Sequence, residues 1–99
     1  MTVVDVRHAE EHAEWAVPGS VNFDAYDKLK AGDTDAMEGL DVPEDGPVVT
    51  VCGVGKSSAV AAEQLRERGY EALTLEGGMK AWSLAWNSAE LPLDGTEAR

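Results

Sequence analysis

The run Val48-Val49-Thr50-Val51 is uninterrupted, rich in β-branched residues and preceded by Pro47. Such a run suits a strand covered on both faces, at the centre of a parallel sheet. It leads directly into Cys52-Gly53-Val54-Gly55-Lys56-Ser57-Ser58 and then into a helical stretch that ends at Gly69. Parallel strands must be joined by a crossover, usually a helix. Strand, glycine loop and helix in this order therefore predict an α/β fold with a mainly parallel sheet. In such sheets the ligand site lies at the carboxyl ends of the strands, and Cys52 stands at one of them.

The rest of the chain reads consistently with that frame. Val3 to Val6 predicts a short buried strand, and residues 8–16 a helix with acids in its first turn. Residues 17–20 (VPGS) are a turn, 21–23 a short strand, and 24–32 one or two helical turns stopped by Gly32. Residues 32–47 are polar and rich in breakers, which predicts a surface loop with room for one helical turn. Ser57 or Ser58 is the expected cap of the helix over 56–69, with Val60, Ala61 and Leu65 on its apolar face. Residues 71–75 read as the next strand and 76–86 as a turn and helix, with Gly77 and Gly78 in the turn. The domain is expected to span 1–87, followed by a tail or linker over 88–99.

Composition narrows the function classes. Nineteen acidic residues against eight basic ones give a net charge of −11. That balance disfavours nucleic acid or an anionic membrane as partner. It fits either a protein of a high-salt cytoplasm or an acidic interaction module. A single cysteine excludes an internal disulfide, and no apolar run approaches the ~20 residues of a spanning helix. The opening residues lack a signal-peptide pattern, so a reducing cytoplasm is the expected compartment.

Two chemistries compete for the loop at 52–58. A phosphate-binding loop of the Gly-x-x-x-x-Gly-Lys-Ser kind would need glycine at position 50, where the chain has Thr50 inside the strand. It would also need a magnesium-binding carboxylate after a later strand, and Glu76 is a poor match. A cysteine loop fits better. Small residues at 53 and 55 let the backbone curl, so that successive N–H groups form an anion nest at the start of the following helix. A thiol at its base is held in a field that favours thiolate, with Lys56 adding positive charge. The bland alternative, a buried small hydrophobe, describes most lone cysteines, but it leaves the glycine-rich loop unexplained.

With those residues in place, the chain resembles the single-domain rhodanese (sulfurtransferase) family. Residues 3–7 (VVDVR) resemble its strand ending Asp-Val-Arg, and 10–23 resemble its His-Ile-Pro-Gly segment. Residues 48–82 resemble the strand, cysteine loop, helix, strand and closing Glu-Gly-Gly-x-x-x-Trp. The resemblance implies a rhodanese-like three-layer α/β/α fold, without the family's first edge strand and helix, since the chain starts almost at the second strand. It implies a sulfurtransferase or sulfur carrier in which Cys52 takes sulfane sulfur from thiosulfate or another persulfide donor and passes it to cyanide or a thiol. The backbone of Gly53, Val54, Gly55, Lys56, Ser57 and Ser58 would cradle the persulfide. No cofactor or metal is implied; a small sulfur-donor anion, a thiophilic acceptor and a protein sulfur acceptor are the expected partners.

The departures from the family pattern are local. Ser57 stands where the family often has Arg or Thr, Gly53 where a basic residue often follows the cysteine, and Ala16 where the segment has His. Weak turnover with thiosulfate, or another donor, is therefore expected. A phosphatase relative would need an Arg at the end of the loop, where Ser58 stands. A non-catalytic rhodanese-like regulatory module, set beside a persulfide-handling metallo-β-lactamase-type enzyme, is the alternative. Outside the loop, Asp5 and Arg7 are expected to brace the fold. His8 and His12 are expected on a solvated helix face, without a third metal ligand. Trp15, Trp82 and Trp86 are expected to be core or partly buried packing residues, Trp86 alternatively docked against a partner.

Overall fold

The computed structural model describes residues 1–53, 55–75 and 93–94. Within them lie β1 (Thr2–Asp5), α1 (Ala9–Glu14), β2 (Val21–Asn22), α2 (Tyr26–Lys30), β3 (Val48–Val51), α3 (Lys56–Glu67), β4 (Ala72–Leu75) and β5 (Leu93–Asp94). They build one sheet in the order β2-β1-β3-β4-β5. The first three pairings are parallel and β5 runs antiparallel to β4. Strand β3 lies at the centre, and all four of its residues are buried, as an unbroken β-branched run requires. The α/β fold with a mainly parallel sheet is thus the observed one. Residues 93 and 94 lie in the segment expected as a tail, and they pair with β4 at Leu75↔Leu93 and Thr74↔Asp94.

The period of two along the strands divides the core. Val4, Val6, Val48, Cys52 and Ala72 share one cluster with Ala25 and Leu29 around α2 and with Ala61, Ala62 and Leu65 of α3. Val49, Val51, Leu73 and Leu75 form a second cluster with Val17. Each fully buried Leu, Val or Met side chain stabilises the fold by roughly 1.5–3 kcal/mol. The turn and helix expected over 76–86, with Gly77, Gly78, Trp82 and Trp86, lie outside the described residues.

Three expectations need correction. Neither Ser57 nor Ser58 caps α3: the N-cap is Gly55, and both serines lie in the first turn. Gly55 adopts φ 101°, a left-handed conformation that glycine alone enters without strain; this turns the loop sharply enough for the helix to start two residues earlier than a serine cap would allow. Val60 is exposed, because α3 buries Ala61, Ala62, Gln64 and Leu65 instead. The segment 32–47 is not only surface loop: Ala36 and Met37 are buried in the core. Gln64 fastens it, accepting from the Met37 N–H at 3.2 Å and donating to the Asp33 carbonyl at 2.8 Å. Trp15 is half exposed, the partly buried of the two placements expected for it.

Candidate active site

Cys52 follows the last residue of β3, and its side chain is 2% exposed. The loop folds back so that two backbone amides donate to its sulfur: Gly55 N–H at 3.0 Å and Ser58 N–H at 3.3 Å from Sγ. The second comes from the first turn of α3, where amides have no helical carbonyl to reach. Both therefore spend their hydrogen-bonding capacity on sulfur, an arrangement that stabilises negative charge there.

A hydroxyl cluster supports the sulfur from below. The Cys52 thiol donates to Ser58 Oγ at 3.4 Å, and Ser58 Oγ donates to the Gly55 carbonyl at 3.2 Å. Thr50 Oγ1 donates to the Ser58 carbonyl at 2.7 Å, and Thr74 Oγ1 donates to Ser58 Oγ at 2.7 Å. Thr50, Ser58 and Thr74 are all buried. Thr50 and Thr74 are direct partners across β3 and β4, so the sheet register itself brings both hydroxyls under α3. Sequence reasoning missed both threonines. Their signal was a hydroxyl in each of two otherwise apolar buried strands, where a polar group must find a partner.

Above the sulfur opens a pocket of about 660 Å³. Gly53, Lys56 and Ser57 line it together with Arg7, Lys30 and the apolar side chains of Tyr26, Leu29 and Val60. Of the loop residues named from sequence, Gly55 and Ser58 reach the sulfur; Gly53, Lys56 and Ser57 form the wall; Val54 lies outside the described residues. The exposure of Val60 thus belongs to the pocket wall.

Asp5 and Arg7 form the brace at the carboxyl end of β1. The Arg7 guanidinium grips the carboxylate through Nε at 3.0 and 3.1 Å and through Nη2 at 2.7 Å, while the Arg7 N–H donates to Oδ1 at 3.0 Å. Nη2 also donates to the Trp15 carbonyl at 2.6 Å, which ties the turn after α1 to the sheet. Asn22 donates to the carbonyls of both Asp5 and Arg7 at 3.0 Å. Burial pushes the Asp5 carboxyl up, yet the hydrogen bonds from Arg7 and His12 and the charge of Arg7 outweigh it and hold the group below its ordinary value. The hydrogen bond to Asp5 holds the Arg7 guanidinium charged, its proton affinity raised further. Arg7 also lines the pocket onto which Cys52 opens.

His12 departs from the solvated face expected for it, whereas the His8 side chain remains exposed. His12 Nδ1 lies 3.0 Å from Asp5 Oδ2 and completes the brace. His8 lines the pocket, packs edge-on against Tyr26 at 5.0 Å and lies 3.0 Å from Asp27. The hydrogen bond to Asp27 raises its proton affinity above the ordinary value. Among the described residues no group of three or more side chains is placed to hold a metal ion, and no helix is long and apolar enough to cross a membrane.

Comparison with known proteins matches the chain to a family. Residues 1–85 match the rhodanese-like domain. The Bacillus subtilis protein YtwF, whose name describes a sulfurtransferase, is 36% identical over 81% of this chain, which spans 71% of it. The thiosulfate sulfurtransferase GlpE of Pseudomonas fluorescens is 33% identical over 81% of the chain, which spans 68% of it. The chain also matches larger proteins in part: it spans 14% of a Desulfurococcus amylolyticus tRNA sulfurtransferase at 32% identity. The solved structure of a rhodanese-like domain protein from Staphylococcus aureus superposes with a TM-score of 0.63 at 30% identity, covering 82% of this chain and 72% of that one.

Proposed function

The chain belongs to the rhodanese-like domain family, and we propose that it moves sulfane sulfur through a persulfide on Cys52. In the loading step the Cys52 thiolate attacks the outer sulfur of thiosulfate. A new S–S bond forms, the old one breaks, and its electron pair leaves with sulfite. In the second step a thiolate or cyanide attacks the outer sulfur of the persulfide, and the electron pair returns to Sγ of Cys52. This is covalent catalysis that splits one transfer into two displacements. The observation that carries it is the pair of amides, from Gly55 and Ser58, that donate to Sγ. They stand where charge resides before loading and returns after discharge.

The pocket supports the choice of ligands. Lys56 and Lys30 bring positive charge to a wall that also holds Glu11 and the Asp5-paired Arg7, in a chain of net charge −11, which suits a small sulfur anion. Its volume of about 660 Å³ falls within the range of sites for organic ligands, so a thiol larger than cyanide fits as acceptor. Relatives named as sulfurtransferases support sulfur transfer in general. A protein acceptor and a cytoplasmic setting belong to the same proposal.

The test is thiocyanate formation from thiosulfate and cyanide, or from a polysulfide and cyanide, with Cys52→Ser as the control. Activity that disappears in the variant supports the transferase. An inactive wild type whose binding to a partner protein survives Cys52→Ser would instead establish the regulatory module.

A further inference from the structure

Every hydroxyl in the cluster below Cys52 has one proton to give, and the acceptors within reach determine where it goes. Ser58 Oγ lies between two: the Gly55 carbonyl at 3.2 Å and the Cys52 sulfur at 3.4 Å. While sulfur carries its proton, the thiol donates to Ser58 and the serine proton goes to Gly55. Once sulfur is an anion it has no proton to donate, and the serine proton turns to it. Thr74 Oγ1 is 2.7 Å from Ser58 Oγ, against 3.5 Å from its other acceptor, the Thr50 carbonyl. Its proton therefore goes to Ser58, occupying an acceptor position of the serine and strengthening the serine as a donor. Thr50 holds the Ser58 backbone in place at 2.7 Å. The cluster is buried, so water does not replace a lost member.

We propose that Thr74 is a positioning residue that acts through Ser58 to hold negative charge on the Cys52 sulfur. For the transfer reaction this rests on the sulfur-transfer reading above. Sγ is the leaving group when an acceptor takes the outer sulfur of the persulfide. Stabilising charge on that atom speeds its departure. Thr74 touches neither donor nor acceptor, and its effect should pass wholly through the Ser58 hydroxyl.

Thr74→Val removes the hydroxyl and keeps the shape; Thr74→Ser keeps the hydroxyl. The first readout is the rate of thiol alkylation by iodoacetamide against pH, which needs no persulfide. Thr74→Val should displace that profile upward, and Thr74→Ser should restore it. The charged groups that face the same pocket (Arg7, His8, Glu11, Lys30 and Lys56) are untouched by either variant. The second readout is discharge of preloaded persulfide by cyanide, expected to slow several-fold in Thr74→Val. Ser58→Ala should shift the alkylation profile in the same direction, and adding Thr74→Val to it should bring no further shift. An unchanged profile in a folded Thr74→Val, or an equal further shift in the Ser58→Ala background, would overturn the proposal. If Thr74→Val does not fold, Thr74→Ser against Ser58→Ala gives the same comparison: a Thr74→Ser profile displaced as far as that of Ser58→Ala contradicts it. Failure of the wild type to load sulfur would overturn the transferase reading and leave the alkylation comparison standing.

Discussion

The Gly55 amide donates to the Cys52 sulfur from 3.0 Å, and it does so because Gly55 holds φ at 101°. A side chain at that position meets the steric cost of the left-handed region, roughly 1–2 kcal/mol. Relaxing the strain rotates the amide away from sulfur. Gly55→Ala should therefore remain folded, with a melting temperature a few degrees lower, and load sulfur at least tenfold more slowly. Stopped-flow loading alongside thermal melting checks this. Wild-type loading in a destabilised variant would show that the amide contributes nothing.

The Asp5 brace sets an acid limit on the fold. Its carboxyl is held below the ordinary value in the folded chain, so its contribution to stability is present above the ordinary carboxylate range. That contribution is lost as pH falls through the lowered folded value. Asp5→Asn leaves the Arg7 charge largely buried without its partner and should cost about 3–5 kcal/mol at neutral pH. Urea melts of both proteins from neutral pH to strong acid check it. The wild-type advantage should vanish at the acid end; a constant difference would rule out Asp5 as the titrating group.

Much of the fold was legible in the sequence because its signals were local. Val48 to Val51 could only be a buried strand, and Gly69 ends α3 as its position suggests, with φ 97°. The loop at Cys52 announced itself by small residues between a strand and a helix. What remained hidden depends on register and long-range contact. Nothing local ties Thr74 to Cys52; the pairing of Thr50 with Thr74 does. Met37 looked like part of a breaker-rich loop, since only the distant Gln64 reveals that it is anchored. His12 sat among acids that suggest solvent, and its partner is Asp5 at the end of β1.

His8 should titrate above its ordinary value, because Asp27 accepts a hydrogen bond from it and favours its charged form. The stability this pair contributes is present below the unfolded value and is lost as pH rises through the raised folded one. A proton NMR titration of the His8 ring should show a midpoint that drops in Asp27→Asn. The same midpoint in both proteins would remove Asp27 as the cause. Because His8 lines the pocket, the affinity for a donor anion should fall over the same pH interval.

The net charge of −11 should make the fold salt-dependent. Acid–acid repulsion is screened once the Debye length falls to about 10 Å or less. Melting temperature should rise with added salt, equally for potassium and sodium chloride. A flat series would count against adaptation to a high-salt cytoplasm and favour an acidic interaction module.

The most direct measurement is the intact mass of the protein after thiosulfate or polysulfide, and again after cyanide. A gain of one sulfur, absent in Cys52→Ser and removed by cyanide, is the expected result. No gain from either donor, with the thiol free to alkylate, would contradict a persulfide on Cys52.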